Sequence, residues 1–194
     1  MSRSPDMVLP VVKYGTPVLR KKGARIEAIT PAIKKLIADM FETMYASKGI
    51  GLAAQQVGQA LQLTVIDVRG VTDRPSTLEL KGKSADVAEF MPLVLINPEL
   101  KPIGESVSGP EGCLSFPEIF ADIKRPAEVE VKALDEKGDP IHFRCGGLLA
   151  RAVQHEVDHL QGILFIDRME RADKSALRPE LEDLQRETKR GLGL

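Results

Sequence analysis

Tryptophan is absent from the 194 residues, cysteine occurs twice, histidine occurs three times, and aromatic residues make up only 4%. Long hydrophobic runs are also missing. The longest apolar stretches, such as LVLI at 93–96 and GILFI at 162–166, are far shorter than the roughly 20 residues that cross a bilayer. The opening MSRSPDMVLPVVKYG contains no apolar run typical of a signal peptide. These absences predict a cytoplasmic protein without membrane spans.

Basic and acidic side chains are nearly equal in number. The chain has 27 basic and 28 acidic side chains and a formal net charge of −1, so no strong field would attract nucleic acid or an anionic membrane. Apolar residues make up 43%, which is ordinary for a globular protein. We therefore expect one domain over residues 1–194, with a C-terminal extension from about residue 170.

Apolar periodicity predicts an α+β fold, with helices segregated from strands. Thr30 is a good N-cap for the first helix, and Gly49 fits the left-handed residue that ends it. The last helix offers mainly Leu181 and Leu184 to the body and is expected to be peripheral. The polar residues 69–91 are interpreted as a surface loop. Predicted helices are 30–49, 147–162 and 179–191, and predicted strands are 61–68, 93–100 and the hairpin 128–135 with 140–145.

The segment QHEVDH places His155 and His159 one helical turn apart, with Glu156 beside them. Two imidazoles at this spacing can bind one metal ion, and a carboxylate on the same buried face can move a proton to or from water. The pattern H-E-x-x-H thus predicts a hydrolytic metal site. The alternative is that both histidines are structural and that Glu156 forms a salt bridge to Arg151.

The third metal ligand has two possible sources. Asp167 and Glu170 lie downstream, as the third ligand does in zinc endopeptidases. Upstream, Cys113 lies in the Gly/Pro-bounded turn GPEGCLSFPE, and a thiolate with two imidazoles suits Zn²⁺, Fe²⁺, Co²⁺ or Ni²⁺. The adjacent Leu114 N–H could then donate to an oxyanion. A structural zinc site, or Cys113 as a nucleophile with His155 as its base, remain open at this point.

Other polar residues are expected outside the metal site. His142 alternates with apolar strand neighbours and is interpreted as structural, and Asp158 as an acceptor behind the ligands or a solvated charge. The sequence does not exclude a disulfide between Cys113 and Cys145. Because cysteines in a chain without an export signal usually stay reduced, we expect free thiols and a core position for Cys145.

The glycine-rich segment GIGLAAQQ, residues 49–56, resembles a phosphate loop, but no G-K-[ST] follows it. Nucleotide binding is therefore poorly supported. Small residues instead allow close approach of other chain segments, and the Gln56 side chain could donate to an oxyanion while its carbonyl accepts from a neighbour.

Taken in order, GIGLAAQQ, EGCLS and QHEVDH resemble the three signature motifs of peptide deformylases, G-x-G-x-A-A-x-Q, E-G-C-x-S and H-E-x-D-H. The resemblance extends from about Val8 to Met169. It implies an α+β metallohydrolase that removes the formyl group from the N-terminal formylmethionine of new bacterial proteins, giving formate and a free amine. It also implies one divalent metal ion, typically Fe²⁺, which Zn²⁺, Ni²⁺ or Co²⁺ can replace.

The resemblance also implies a role for each residue that matches a motif, and an aliphatic Arg151 stem along the methionine pocket with its head in water. Phe120 departs from the family, since some members carry a basic residue there, so contacts with later substrate residues are not implied. The C-terminal helix of the family can dock on the ribosome, although a solvated helix is the alternative here. By this resemblance Cys113, His155 and His159 bind the metal, and Glu156 is the general acid/base. Gln56 and the Leu114 N–H stabilise the oxyanion. The implied substrate contacts are Ile50, Gly51, Leu148 and Arg151.

Overall fold

A computed structural model describes residues 7–194 of the chain. The predicted α+β class is confirmed. Single turns of 3-10 helix occur at Pro17–Arg20, Ala54–Val57 and Phe165–Asp167. The helices are α1 (Pro31–Ala46), α2 (Val87–Phe90), α3 (Gly147–Leu160), α4 (Arg171–Ala176) and α5 (Arg178–Gly191). The strands are β1 (Gly51–Ala53), β2 (Leu63–Ile66), β3 (Ser76–Leu80), β4 (Lys83–Ser84), β5 (Leu93–Cys113), β6 (Phe116–Leu134) and β7 (Pro140–Gly146).

The strands form one antiparallel sheet in the order β1-β2-β5-β6-β7-β3-β4. Strands β5 and β6 are long, with 21 and 19 residues, and their register shifts at three places. Such irregularities bend a strand and increase its twist. The first residues of β5 pair with β2, and β5 pairs with β6 from Ile96↔Leu134 to Cys113↔Phe116, where this long hairpin closes.

Helix α3 lies at the centre of the molecule, where it contacts β1, β2, β3, β6 and β7. Its apolar side chains between Leu148 and Leu160 are buried. The remaining face is buried as well, including the polar side chains of Gln154 and Asp158. A helix covered on every side must satisfy its polar groups internally, because water cannot reach them.

Helix α1 packs on β1 and β2 through Ile37, Met40 and Met44. Its predicted N-cap is confirmed, since the Thr30 hydroxyl accepts from the Ile33 N–H. The predicted left-handed Gly49 is wrong: Lys48 has the positive φ, 55°. Gly49 serves another purpose, because a Cβ there would lie 2.8 Å from the Leu114 side chain.

The interpretation of residues 69–91 as a surface loop is wrong for much of its length. The segment contains β3, β4 and α2, and β3 pairs with β7. In β3 only Leu78 is buried, so the composition reads as polar although the backbone is part of the sheet. Sparse apolar residues are typical of strands near a sheet edge.

The predicted hairpin of β6 and β7 is confirmed, with Leu134 opposite Pro140. The predicted peripheral C-terminal helix is also confirmed: Leu181 is buried and Leu184 packs beside it, while most other side chains of α5 are exposed. Along residues 7–194, no helix combines the length and the apolar character needed to cross a membrane. The single-domain organisation stays a prediction.

Candidate metal centre and its cavity

Helix α3 and the end of β5 bring three ligand-type side chains together. The Sγ of Cys113, which ends β5, lies 3.3 Å from Nε2 of His159. One ligand atom from each of Cys113, His155 and His159 falls within 4.8 Å of the others. Within residues 7–194 this is the one cluster of three such residues with that geometry.

Glu111 orients the first histidine of the cluster. Its Oε2 lies 2.9 Å from Nδ1 of His155, and an ionised carboxylate can only accept, so Nδ1 carries the proton. The opposite ring nitrogen, Nε2, is then free to bind a metal. A carboxylate behind a ligating imidazole is the usual arrangement in metal sites, because it fixes the ring and raises its basicity.

The donor set fits a divalent transition metal. One thiolate and two imidazoles provide three ligands, and Zn²⁺, Fe²⁺, Co²⁺ and Ni²⁺ all accept this combination. No fourth His, Cys, Asp or Glu from the described part of the chain joins the cluster. The downstream acids are engaged elsewhere: Asp167 pairs with Arg20, and Glu170 pairs with Lys124. The geometry therefore favours Cys113 over a downstream carboxylate as the third ligand.

Glu156 lies buried against the backbone of β1. A Cβ built on Gly51 would lie 2.8 Å from Cδ and Cγ of Glu156, so this position leaves room for a glycine only. The Oε2 of Glu156 is buried and has no hydrogen-bond partner among the described residues. Burial raises the pKa of Glu156 to about 7. This carboxylate is thus held beside the cluster with an oxygen available for proton transfer.

Arg151 does not pair with Glu156, so the salt bridge expected in the alternative interpretation of the H-E-x-x-H motif is wrong. Its guanidinium donates to Glu111 at 2.9 Å and to the backbone carbonyl of Ile123 at 2.8 Å. The expected position of its head in water is also wrong, since the Arg151 side chain is only 13% exposed. The bent β5–β6 hairpin covers the guanidinium and supplies carbonyl acceptors that no sequence pattern indicates.

Gln56 and the turn after Cys113 face the cluster from the other side. The Oε1 of Gln56 accepts from the Ala53 N–H at 2.9 Å, which points its Nε2 toward Cys113 Sγ at 3.5 Å and Ser115 Oγ at 3.4 Å. This is the division of donor and acceptor that the sequence suggests for the amide. The Leu114 N–H donates to no described residue.

A buried ionic network lies behind the ligands, and sequence reasoning missed most of it. Arg125 donates to Glu111 at 2.6 Å and to Asp158 at 2.8 Å, and Arg168 also donates to Asp158. Although burial acts in the opposite direction, hydrogen bonds from His155 and Arg125 lower the pKa of Glu111 to about 2. Asp158 is therefore the predicted acceptor behind the ligands and not a solvated charge.

Sequence could have indicated only part of this network. Glu111 precedes Cys113 by two residues in EGCLS, so its position in a motif was a usable signal. Arg125 carries no such signal, because it looks like any strand residue until β6 folds across α3.

The remaining polar residues lie where the sequence predicts. His142 is exposed and lies 2.7 Å from Glu130 on the neighbouring strand. Cys145 is 1% exposed, and burial raises the pKa of its thiol to about 12. Both cysteines are free, as expected.

An open cavity of about 660 Å³ lies next to the cluster. Cys113, His155 and Glu156 reach its wall. The exposed ring of Phe120 lies at its edge, over the backbone of Gly112. All of the residues implied for substrate contact or oxyanion stabilisation also line it, namely Ile50, Gly51, Gln56, Leu114, Leu148 and Arg151.

A buried H-E-x-x-H helix, a cysteine at a strand end and an adjoining cavity define a metal-dependent hydrolase with a Cys/His₂ centre. Residues 8–175 match the model of the polypeptide deformylase family. The chain belongs to this family, which confirms the expected class of reaction, hydrolytic removal of a formyl group from a peptide.

Relatives and solved structures agree with this membership. The chain is 49% identical to a peptide deformylase of Methylacidiphilum infernorum, over 93% of this chain and 94% of the relative. It is 44% identical to one from Opitutus terrae, over 94% and 96%. The crystal structure of Arabidopsis thaliana peptide deformylase 1B with an inhibitor superposes with a TM-score of 0.82 at 38% identity, covering 96% of this chain and 95% of that chain.

Replacing Gly51 with Ala is expected to displace Glu156. The added methyl group would overlap Cγ and Cδ of a side chain that is only 5% exposed and cannot swing into water. Since a shift of about 1 Å can cost a factor of about 100 in rate, we expect formate release to fall by about 10- to 100-fold. Steady-state assays would measure this. Gly70→Ala, where nothing lies within 4 Å of the new methyl group, is the control and should leave the rate unchanged.

Proposed function

We propose that this chain removes the formyl group from the N-terminal formylmethionine of nascent proteins, releasing formate and a free amino terminus. The observation that carries the proposal is the buried oxygen of Glu156, which has no described partner and lies beside the cluster of Cys113, His155 and His159. A structural zinc site has no use for such a group, because a buried polar atom without a partner is costly. A hydrolase needs it to transfer a proton.

Cys113, His155 and His159 would hold one divalent ion, which we propose to be Fe²⁺, with Zn²⁺, Ni²⁺ or Co²⁺ as substitutes. When bound, such an ion acts as a Lewis acid and lowers the pKa of water so that it becomes a nucleophile near neutral pH. The proposal of iron comes from the family resemblance, since the ligand set by itself suits all four metals. Metal dependence belongs to the family, whereas the identity of the metal is proposed.

Glu156 would act as the general base and then as the general acid. It accepts the proton that the attacking water loses as the bond to the formyl carbon forms. It returns that proton to the methionine nitrogen as the C–N bond breaks, so that formate and the free amine leave. The raised pKa, about 7, suits a group that must both accept and release a proton near neutral pH.

Gln56 and Leu114 would stabilise the negative charge on the formyl oxygen in the transition state. Gln56 offers Nε2, because its Oε1 already accepts from Ala53, and Leu114 offers an amide N–H that donates to no described residue. Donors that are oriented before the reaction cost no reorganisation when the charge develops, which makes this effect large.

The methionine side chain would occupy the apolar part of the cavity beside α3. Ile50 and Leu148 would contact it, and the backbone of Gly51 would bind the peptide. Hydrogen bonds from Arg151 to β5 place its stem in the cavity wall, so we propose a contact through the stem rather than through the charge.

Nascent peptides as substrates would place the enzyme near translating ribosomes in the cytoplasm. A ribosome contact through α5 stays a prediction. The helix is exposed on most of its surface and carries basic and acidic side chains in mixture, which also fits a solvated helix.

Formate production from formyl-Met-Ala tests the proposal. Metal-free protein should be inactive, and anaerobic addition of one equivalent of Fe²⁺ should restore turnover, with Zn²⁺, Ni²⁺ and Co²⁺ compared under the same conditions. Unformylated Met-Ala serves as the control for peptide-bond cleavage. Cleavage of Met-Ala, or equal formate release without any added metal, would refute the proposed activity.

A further inference from the structure

The turn that carries the proposed oxyanion donor has only two residues, Leu114 and Ser115, between the paired Cys113 and Phe116. Turns of this length exist in alternative forms that differ by rotation of the central peptide. In this turn the carbonyl of the central peptide belongs to Leu114. The Leu114 N–H belongs to the preceding peptide, so a contact to this carbonyl acts on that N–H through the Leu114 Cα, by limiting the backbone angles of Leu114.

Lys13 fixes that carbonyl from outside the turn. Its Nζ donates to the Leu114 carbonyl oxygen at 2.8 Å, across 101 residues of sequence. Lys13 is partly buried and lies on the wall of the same cavity, so its ammonium also adds positive charge to the side on which negative charge develops. A charged donor forms a stronger hydrogen bond than a neutral one.

The residues on either side of Lys13 bind the Gln56 segment and the Leu114–Ser115 turn through their backbones. The Val12 N–H donates to the Gln56 carbonyl at 2.9 Å, and the Tyr14 N–H donates to the Ser115 carbonyl at 2.9 Å. The Tyr14 ring also stacks on Phe116 at 4.8 Å between centroids. The segment 12–14 thus links the backbone of Gln56 to the turn of Leu114 and Ser115, and the Lys13 side chain holds the central peptide of that turn.

We propose that Lys13 is a positioning residue for catalysis: its ammonium holds the Leu114 carbonyl, which restricts the backbone angles of Leu114 and so keeps the Leu114 N–H directed at the oxyanion. This inference rests on the proposed role of that N–H. Lys13 does not bind the metal and does not take part in proton transfer. Replacement of Lys13 should therefore lower kcat, because the oxyanion forms in the chemical step. Metal content and KM should stay unchanged.

Lys13→Met, which keeps most of the aliphatic stem, tests the proposal with formyl-Met-Ala as substrate. Complete loss of an oxyanion donor costs about 100- to 1000-fold in kcat, so partial misplacement should cost about 10- to 100-fold, with KM within about twofold. Lys13→Arg, which retains a charged donor, should restore most of kcat. Lys22→Met, at an exposed lysine in the same part of the chain, is the matched control and should match the wild type.

A second readout does not depend on activity. In metal-free protein labelled with ¹⁵N, the Leu114 amide should give one sharp resonance in the wild type and an exchange-broadened one in Lys13→Met. If Lys13→Met does not fold, the same measurements on Lys13→Gln, whose amide is a neutral donor, should show intermediate kcat and broadening.

The outcomes separate this proposal from the one it rests on. An unchanged kcat in Lys13→Met, a raised KM with unchanged kcat, or a loss of bound metal in proportion to activity would each overturn the role of Lys13 while wild-type turnover persists. Failure of the wild type itself to release formate would instead refute the proposed function.

Discussion

Glu156→Gln is expected to bind metal normally and to release almost no formate. Glutamine keeps the size of the side chain and fits the space beside Gly51, but it cannot accept the proton that an attacking water must lose. General acid–base catalysis contributes about 100- to 10000-fold, and here one group serves both steps, so we expect kcat to fall by at least about 1000-fold. Formate release from formyl-Met-Ala and metal content by elemental analysis are the measurements.

The matched control for this change is Glu42→Gln on the exposed side of α1, which should leave both quantities as in the wild type. Glu156→Gln should also be folded, because an amide is less costly than a carboxylate at a position that is only 5% exposed. Turnover near the wild-type rate in a metal-loaded Glu156→Gln sample would refute the assigned role.

Cys113→Ala is expected to lose the metal and, with it, activity. Removal of the thiolate leaves two imidazoles, and the nearest downstream acids are paired with Arg20 and Lys124 instead. Changing a group that merely supports a ligand typically costs 10- to 100-fold in metal affinity, so we expect loss of a ligand to cost more than about 100-fold. Titration of the metal-free protein with Co²⁺ or Zn²⁺ measures the dissociation constant.

Cys145→Ala separates metal binding from general effects of removing a thiol. Cys145 lies on β7 and is buried in the apolar cluster that the sheet forms with α3. Removal of its thiol should lower the free energy of unfolding modestly and leave metal affinity unchanged. The alternative of a zinc endopeptidase makes the opposite prediction for Cys113→Ala: a site completed by a downstream carboxylate would keep its metal.

Local patterns predicted the elements that depend on few residues. Helix α1 follows its predicted N-cap Thr30, and α3 contains the two histidines as predicted. The capping residue and the apolar spacing that indicate each helix lie within a few residues of one another. Strand β3 was missed for the opposite reason. Its apolar content is small, and its pairing with β7 joins segments far apart in the sequence, which periodicity in one window cannot detect.

In the candidate site, too, contacts indicated by a short motif could be predicted, and contacts between distant segments could not. Close approach of Glu156 to Gly51 agrees with the small residues of GIGLAAQQ, whose sequence already suggested tight packing. The partners of Arg151 and Arg125 could not be inferred, since both donate to Glu111 on a bent hairpin whose course depends on three register shifts.

The groups that can carry the chemistry are evident from local sequence, because spacing on one helix places His155, Glu156 and His159 together before any tertiary contact forms. The surroundings of these three residues depend on contacts between distant parts of the chain. The carboxylate that orients His155 lies 44 residues away, and the lysine that holds the Leu114 turn lies 101 residues away. Such contacts depend on how strands cross and bend, and the free energy of that arrangement is shared by the whole core rather than encoded in any short segment.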